Sequence, residues 1–366
     1  MRAQARLHPN GELSMRFYKR QHRFYCGIDL HARSMYLCIR DHDDVVLLHQ
    51  NLPAQADDFL RAIAPYRDGL VVGCECMFAW YWVADLCADH DIPFVLGHAL
   101  YLKAIHGGKA KNDKLDADKL SALLRGGNFP IAYVYPKGLR ETRDLLRRRL
   151  FLVRQRAHFV AHIQNTNSQY NLPVFGKKLV FARNRDELDV AERFKDPSVR
   201  LSIETDLQMI DKLDEQIYAV ELHLERHAKV DDPNTLARLR SIPGVGKILA
   251  LIFLYEIHDI RRFPDVGQFL SYARLVRCAH ESAGKKKGSG GKGAKKIGNA
   301  HLRWAFAEAV CLWLRQSDRA KAWMKRHEKK RGKAKALAIL GAKLARAMYH
   351  MLRKKEVFDE AKVLGG

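Results

Sequence analysis

Four carboxylates in the first third of the chain stand where carboxylates are unusual: Asp29, Glu75, Asp113 and Asp116. Asp29 follows the apolar run Phe24 to Ile28, Glu75 ends the run Leu70 to Cys74, and Asp113 and Asp116 open a helical segment inside a lysine-rich stretch. A carboxylate at the end of a buried strand is costly unless something cationic compensates it. Several brought together repel unless they hold a divalent metal, and Mg²⁺, with Mn²⁺ as its alternative, takes oxygen ligands. Two such ions roughly 3.5–4 Å apart can activate a nucleophile and stabilise a leaving oxygen on phosphate. Taken singly, Asp29 reads as a turn cap, Glu75 as a lysine partner and Asp113 as an acid favoured by a helix dipole. Taken jointly, on an alternating β/α scaffold, they read as a metal site. Asp113 and Asp116 share one helix face at a spacing of three. Asp118 points elsewhere and reads as an ordinary surface acid. Asp29 and Glu75 meet only if their strands are neighbours.

The elements that must position these acids alternate. Tyr25–Ile28, Met35–Arg40 and Val45–Gln50 read as three strands joined by turns, followed by a helix over Ala56–Tyr66. Leu70–Cys74 and Pro93–Leu96 are further strands, separated by a helix over Tyr81–Asp89; Asp113–Leu124 is helical and stops at Gly126-Gly127. The pattern predicts an α/β domain over 24–136, a mixed sheet carrying helices. Residues 137–230 are helical. Leu139–Tyr170 is arginine-rich, and Ile203, Ile210, Ile217 and Leu224 recur every seventh position, with Leu213 and Val220 between them and Asp206 as the one break. That periodicity suits a short coiled coil or one helix of a globular bundle. Residues 231–366 form a mostly helical domain, with helices expected over Phe263–Leu275, 300–327 and 333–353.

Composition names the partner class. The chain has 366 residues, with 64 Lys and Arg against 41 Asp and Glu, for a formal charge of +23. Such an excess calls for a polyanion, through counterion release and steering. No apolar run is long enough to span a membrane. The basic arm 1–23 lacks the apolar core of a signal peptide, with Met15 as an alternative start. The seven cysteines form no CxxC pair, as expected of reduced thiols in a cytosolic protein. Pro243-Gly244-Val245-Gly246 resembles a helix–hairpin–helix turn, where Gly244 and Gly246 would let backbone N–H groups approach a phosphate. The loop from Arg277 to Asn299 holds Lys285, Lys286, Lys287, Lys292, Lys295 and Lys296 around Ser282 and Ser289. A serine amid such cations is a candidate nucleophile on a phosphodiester, or the loop is simply a phosphate-gripping tether. No His/Asp triad spacing accompanies it.

Gly27-Ile28-Asp29-Leu30-His31, Glu75 followed by Tyr81-Trp82, and Lys111-Asn112-Asp113-Lys114-Leu115-Asp116-Ala117 resemble the N-terminal domain of IS110 family insertion-sequence transposases. These are DEDD recombinases with a RuvC-like, RNase H-type fold. Pro243-Gly244-Val245-Gly246, Phe263, Tyr272, Ser282 and Gly298-Asn299-Ala300-His301-Leu302-Arg303 are similar to the family's C-terminal domain. The family's four metal-binding acids carry over to Asp29, Glu75, Asp113 and Asp116, with Asn112 in place of a threonine. Arg274-Leu275-Val276-Arg277 stands where GLxP is usual, and counting from it places Ser282 on the family's nucleophilic serine, with Ser289 as runner-up. Asn299 and Arg303 join the loop lysines and Gly244 and Gly246 as nucleic-acid contacts. The resemblance implies a covalent phosphoserine intermediate on DNA, Mg²⁺ at the acids, and a junction-like exchange of donor and target strands. It also implies a structured guide RNA, with sequence recognition delegated to base pairing. A homodimer or homotetramer would assemble through the helical middle region. The protein would be cytoplasmic and nucleoid-associated when active. The alternatives are a RuvC-like junction endonuclease using metal-activated water, and an inactive nucleic-acid-binding relative.

Overall fold

The computed structural model describes residues 16–105, 112–228, 232–276, 280–282, 285–287 and 297–365. They divide into two compact units that meet in sequence at Lys137 and Gly138.

The N-terminal unit runs β1 (Phe17–Tyr18), β2 (Phe24–Leu30), β3 (Ser34–Asp41), β4 (Val46–Pro53), α1 (Ala56–Ile63), β5 (Leu70–Glu75), α2 (Trp80–Asp89), β6 (Phe94–Gly97), α3 (Ala99–Ile105), α4 (Asp113–Arg125) and β7 (Phe129–Pro130). Its main sheet has the order β4-β3-β2-β5-β6. The first three strands are antiparallel, while β5 and β6 run parallel to β2. The mixed sheet expected from the pattern is therefore present. Both faces of its centre are covered, which is why β2 and β5 read as unbroken apolar runs. Cys26, Ile28 and Leu30 pack with Phe59, Ile63, Trp80 and Val83 on one side. Tyr25 and Val71 pack with Leu120, Leu124 and Phe129 on the other. β1 and β7 form a separate antiparallel pair that two residues apiece could not announce in the sequence.

Gly27 sets the height of α4 above the sheet. A Cβ at this position would sit 2.4 Å from the Ala117 carbonyl oxygen, 2.4 Å from the Ser121 nitrogen and 2.9 Å from Leu120 Cβ. Two of these are backbone atoms, so the helix itself would have to move. Overpacking of this kind costs about 1–3 kcal/mol. Gly27→Ala is expected to destabilise the N-terminal unit by about 2 kcal/mol in urea denaturation. It should also lift Asp113 away from Asp29, so that activity falls further than the lost stability explains.

The C-terminal unit contains α5 (Arg140–Gln169), α6 (Ala182–Glu187), α7 (Pro197–His227), α8 (Pro233–Arg240), α9 (Lys247–Ile257), α10 (Val266–Tyr272), β8 (His280–Ser282), β9 (Lys285–Lys287), α11 (Ala300–Gln316), α12 (Asp318–Arg331), α13 (Lys333–Lys354) and α14 (Glu360–Leu364). The heptad seam of α7 is filled by α5 of the same chain. Leu152 packs in one cluster with Leu213 and Ile217. Ile163 packs with Ile203 and Ile210, so the two helices run antiparallel. Arg149–Glu221 and Arg156–Asp214 ion pairs and a His162–Asp206 hydrogen bond flank the seam in the same sense. Asp206, the break in the heptads, is thus matched to His162 across the hairpin. The seam has the seven-residue spacing read from the sequence, and α5 of the same chain packs against it.

Leu146 of α5 and Leu224 of α7 join a larger core built on Phe253, Phe306, Trp313, Leu340 and Met348. The single helix expected over 300–327 is interrupted. Ser317 is extended (φ −120°, ψ 119°) and caps α12, its hydroxyl accepting from the Ala320 N–H at 3.0 Å. Apolar spacing continues across this break, so periodicity alone could not reveal it.

Candidate active site

Asp29 is the penultimate residue of β2 and Glu75 is the last of β5. These strands are neighbours, and the register Ile28 opposite Cys74 brings Asp29 and Glu75 to adjacent strand ends. Asn112 caps α4, its side chain accepting from the Lys114 N–H at 2.9 Å, so the helix starts at Asp113. His31, just past β2, closes the arrangement. Its Nε2 lies 3.5 Å from Asp29 Oδ2 and 3.5 Å from Asp113 Oδ2. One donor atom from each of Asp29, His31 and Asp113 lies within 4.8 Å of the others.

This donor set fits a divalent cation. Two carboxylates and one imidazole can converge on one ion, and the nitrogen makes Mn²⁺ a better fit than Mg²⁺. Among the described residues Glu75 and Asp116 stand outside that group of three. Asp116 is held by Lys119, with Nζ 3.2 Å from Oδ1. In the sequence His31 stands out only as part of the motif Gly27-Ile28-Asp29-Leu30-His31. Its signal was its position two residues after Asp29, on the same side of an extended chain. Asp118 is not an ordinary surface acid. It pairs with Arg40, which also hydrogen-bonds Ser121 Oγ at 3.0 Å.

In the C-terminal unit, Ser282 is the last residue of β8, with its backbone opposite Lys285 of β9. The segment expected to be loop throughout thus carries a short hairpin. Three-residue strands without β-branched or aromatic residues give no period-two signal. Lys286 and Lys287 complete β9. Lys292, Lys295, Lys296 and Ser289 lie outside the described residues.

The glycines of the Pro243–Gly246 turn play separate parts. Gly244 has φ +85°, and a Cβ there would meet the Leu312 carbonyl carbon of α11 at 2.6 Å. Its close approach is to a helix backbone. Gly246 precedes α9 with nothing within 4 Å of an added Cβ, so this helix start is sterically open.

Asn299 is buried, and its carboxamide is engaged at both ends. Its oxygen accepts from the His301 and Leu302 N–H groups at 2.9 and 3.0 Å, capping α11. Its Nδ2 donates to Glu256 Oε2 at 2.8 Å and to the Tyr272 hydroxyl at 3.2 Å. Glu256 is 2% exposed and also receives Arg143 Nε at 3.0 Å, Arg147 Nε at 2.7 Å and Arg147 Nη2 at 2.9 Å. Burial pushes its carboxyl up, but the hydrogen bond and charge of Arg147, the charge of Arg143 and the Asn299 amide outweigh it and hold it at about 2. The same surroundings bring His301 down to about 4, through burial first and then the Arg147 charge. This network was not anticipated, although a lone acid in Ile248-Leu249-Ala250-Leu251-Ile252-Phe253-Leu254-Tyr255-Glu256 was its visible trace.

Arg303 is exposed, and its charge, after burial, helps lower the Arg274 guanidinium. Arg274 itself has φ +57° and donates from Nε to the Gly298 carbonyl at 2.9 Å. It therefore keeps the left-handed backbone that a glycine would adopt freely, at about 1 kcal/mol.

Residues 26–171 match a family model of DEDD transposases of the IS110 type, and residues 236–327 match that of the transposase IS116/IS110/IS902 family. The chain belongs to this transposase family. The transposase for insertion sequence element IS1111A of Coxiella burnetii is 24% identical over 343 residues, covering 91% of this chain and 90% of its own. The transposase for element IS1328 of Yersinia enterocolitica is 24% identical over 348 residues, covering 91% and 98%. The first match spans Asp29, His31, Glu75, Asp113 and Asp116, and the second spans Glu256, Ser282 and Asn299. As a DEDD-type transposase the chain is expected to use a divalent metal, and the Asp29–His31–Asp113 cluster is an acidic place that the described residues offer one. Among the described residues, no helix of this transposase is long and apolar enough to cross a membrane.

Proposed function

We propose that the chain cuts and rejoins DNA at the ends of an insertion sequence, with Ser282 as nucleophile and Asp29, Glu75, Asp113 and Asp116 as metal-binding acids. The observation that carries this reading is the convergence of Asp29, His31 and Asp113 beside the strand end that holds Glu75. The antiparallel β2–β4 followed by parallel β5 and β6, with an acid-bearing helix across them, supports an RNase H-like or RuvC-like domain.

In this reading the Ser282 Oγ–P bond forms as the P–O bond to the leaving sugar oxygen breaks. The serine proton passes to a base, and the leaving oxygen takes one up. Rejoining reverses these events with another strand's hydroxyl, so the number of phosphodiesters is conserved. A bound divalent ion would stabilise charge on the phosphate oxygens. The lysines at 285–287, 292, 295 and 296, with Arg303, would hold the backbone, and Gly246 would present an open helix start to a phosphate. The net charge of +23 supports a second polyanion, a structured guide RNA, alongside donor and target DNA. A homodimer or homotetramer would let the acids of one subunit meet the serine of another.

Trapping on a nicked DNA substrate tests the chemistry. The wild-type chain should form a covalent protein–DNA adduct that Ser282→Ala abolishes and Ser289→Ala retains. A RuvC-like junction endonuclease would instead cut without an adduct and keep cutting after Ser282→Ala.

A further inference from the structure

A second set of donors lies on the same face of the N-terminal sheet as Asp29, on the next two strands, β3 and β4. Cys38 of β3 is directly opposite His49 of β4 and, on its other side, opposite Gly27 of β2. Gly27 faces α4, so Cys38 and His49 face α4 as well. There α4 presents Asp118. The Cys38 Sγ lies 3.6 Å from Asp118 Oδ1 and 3.3 Å from Ser121 Oγ. One donor atom from each of Cys38, His49 and Asp118 lies within 4.8 Å of the others.

We propose that Cys38, His49 and Asp118 form a second cation site, for a borderline-soft divalent ion of the zinc class, distinct from the carboxylate cluster at Asp29. The donor chemistry separates the two. Thiolate, imidazole and carboxylate together suit a four-coordinate ion of the Zn²⁺ or Co²⁺ type, with solvent as the fourth ligand. Two carboxylates with one imidazole favour a harder ion.

The neighbouring Arg40 does not oppose the site. It pairs with Asp118 and also, at 2.7 Å, with Asp44, a carboxylate it shares with Arg125, so part of its charge is met away from the site. A carboxylate has two oxygens and can serve a guanidinium and an ion together. Binding would form a metal–sulfur bond as the Cys38 thiol releases its proton to solvent. His49 would exchange the Lys114 carbonyl, 3.1 Å from its Nε2, for the ion. A bound ion would then tie β3 and β4 to α4, the helix whose first residue is Asp113.

The test uses the full chain freed of metal with a chelator and titrated with Co²⁺. The wild type should develop a near-ultraviolet thiolate-to-cobalt charge-transfer band, absent from Cys38→Ser and retained in Cys76→Ser and Asp29→Asn. Cys38 is buried, so His49→Ala on the half-exposed edge strand provides a second readout. It should weaken Co²⁺ binding by about tenfold or more. Zn²⁺ should raise the melting midpoint of the wild type and of neither site variant. A wild type without the band, or a Cys38→Ser chain that keeps it, overturns the site. So does a band lost in Cys76→Ser or Asp29→Asn. Loss of transposition through Ser282→Ala would leave all these spectra unchanged, so this proposal and the proposed function fail separately.

Discussion

Asp29→Asn is expected to reduce DNA strand cleavage by about a thousandfold while DNA binding changes by no more than about twofold. The substitution preserves the size and hydrogen-bonding reach of the side chain, so β2 and its pairing with β3 and β5 should survive. What it removes is one of the two charges that His31 Nε2 faces at 3.5 Å. An ion held there by Asp29 and Asp113 loses half its anionic ligands, and a neutral amide oxygen cannot replace a carboxylate for a divalent cation. Binding should persist because the +23 excess is spread along the chain, and one lost acid makes it slightly more basic. Cleavage of a labelled DNA end and a filter-binding isotherm at fixed salt separate the two effects. Asp57→Asn, at an exposed acid in the first turn of α1, should leave both unchanged. If Asp29→Asn cleaves at the wild-type rate, the carboxylate cluster is not the catalytic centre.

How far the site could be read in advance follows from how local each signal was. β2 and β5 were visible because a strand buried on both faces must be apolar along its length, which made Asp29 and Glu75 conspicuous. The start of α4 was visible because Asp113 and Asp116 open a helical segment at one-face spacing, and the Asn112 cap then fixes Asp113 on its first turn. That β2 lies beside β5 is a long-range fact about strand order, and no local pattern encodes it. His31 was silent for the same reason, since its role exists only once Asp29 and Asp113 meet. The surroundings of Asp118 were not legible, because helical spacing gives a direction but not what lies there. Arg40, held by Ser121, reaches Asp118 from the sheet. The heptads of α7 were legible, but whether a seam closes within a chain or between chains depends on the partner helix, here α5.

Glu256→Gln is expected to lower the stability of the C-terminal unit by about 3–5 kcal/mol at neutral pH, the range for breaking a buried charge pair from one side. The wild-type carboxylate answers two guanidiniums, from Arg143 and Arg147, and the Asn299 amide, while 2% exposed. Glutamine offers one neutral oxygen to the same donors and brings an NH₂ that points a further donor at them. The buried Arg143 and the partly exposed Arg147 then lose the carboxylate they share. The penalty should have a defined pH dependence. The carboxyl is lowered from 4.5 to about 2, so its stabilising effect is complete above pH 4.5 and disappears as pH falls through about 2. The stability gap between wild type and Glu256→Gln should therefore be flat above about pH 5 and close below it, by about 3 kcal/mol in all. Urea titrations of both chains between pH 7 and pH 3 should show the first about 2 kcal/mol of this closing. A gap that does not narrow in acid would mean that Glu256 acts through packing and not through charge. The consequence for function passes through Asn299, which links Glu256 to the first turn of α11 at the exit of the lysine-rich segment. Asn299→Ala removes that cap and one hydrogen bond that lowers the Glu256 carboxyl, without unpairing the arginines, so it should cost about 1 kcal/mol and move the acid limb of the stability profile only slightly to higher pH. If Asn299→Ala nonetheless lowers covalent adduct formation as strongly as Glu256→Gln does, the network serves to hold the Ser282 segment in place, and its stability is secondary.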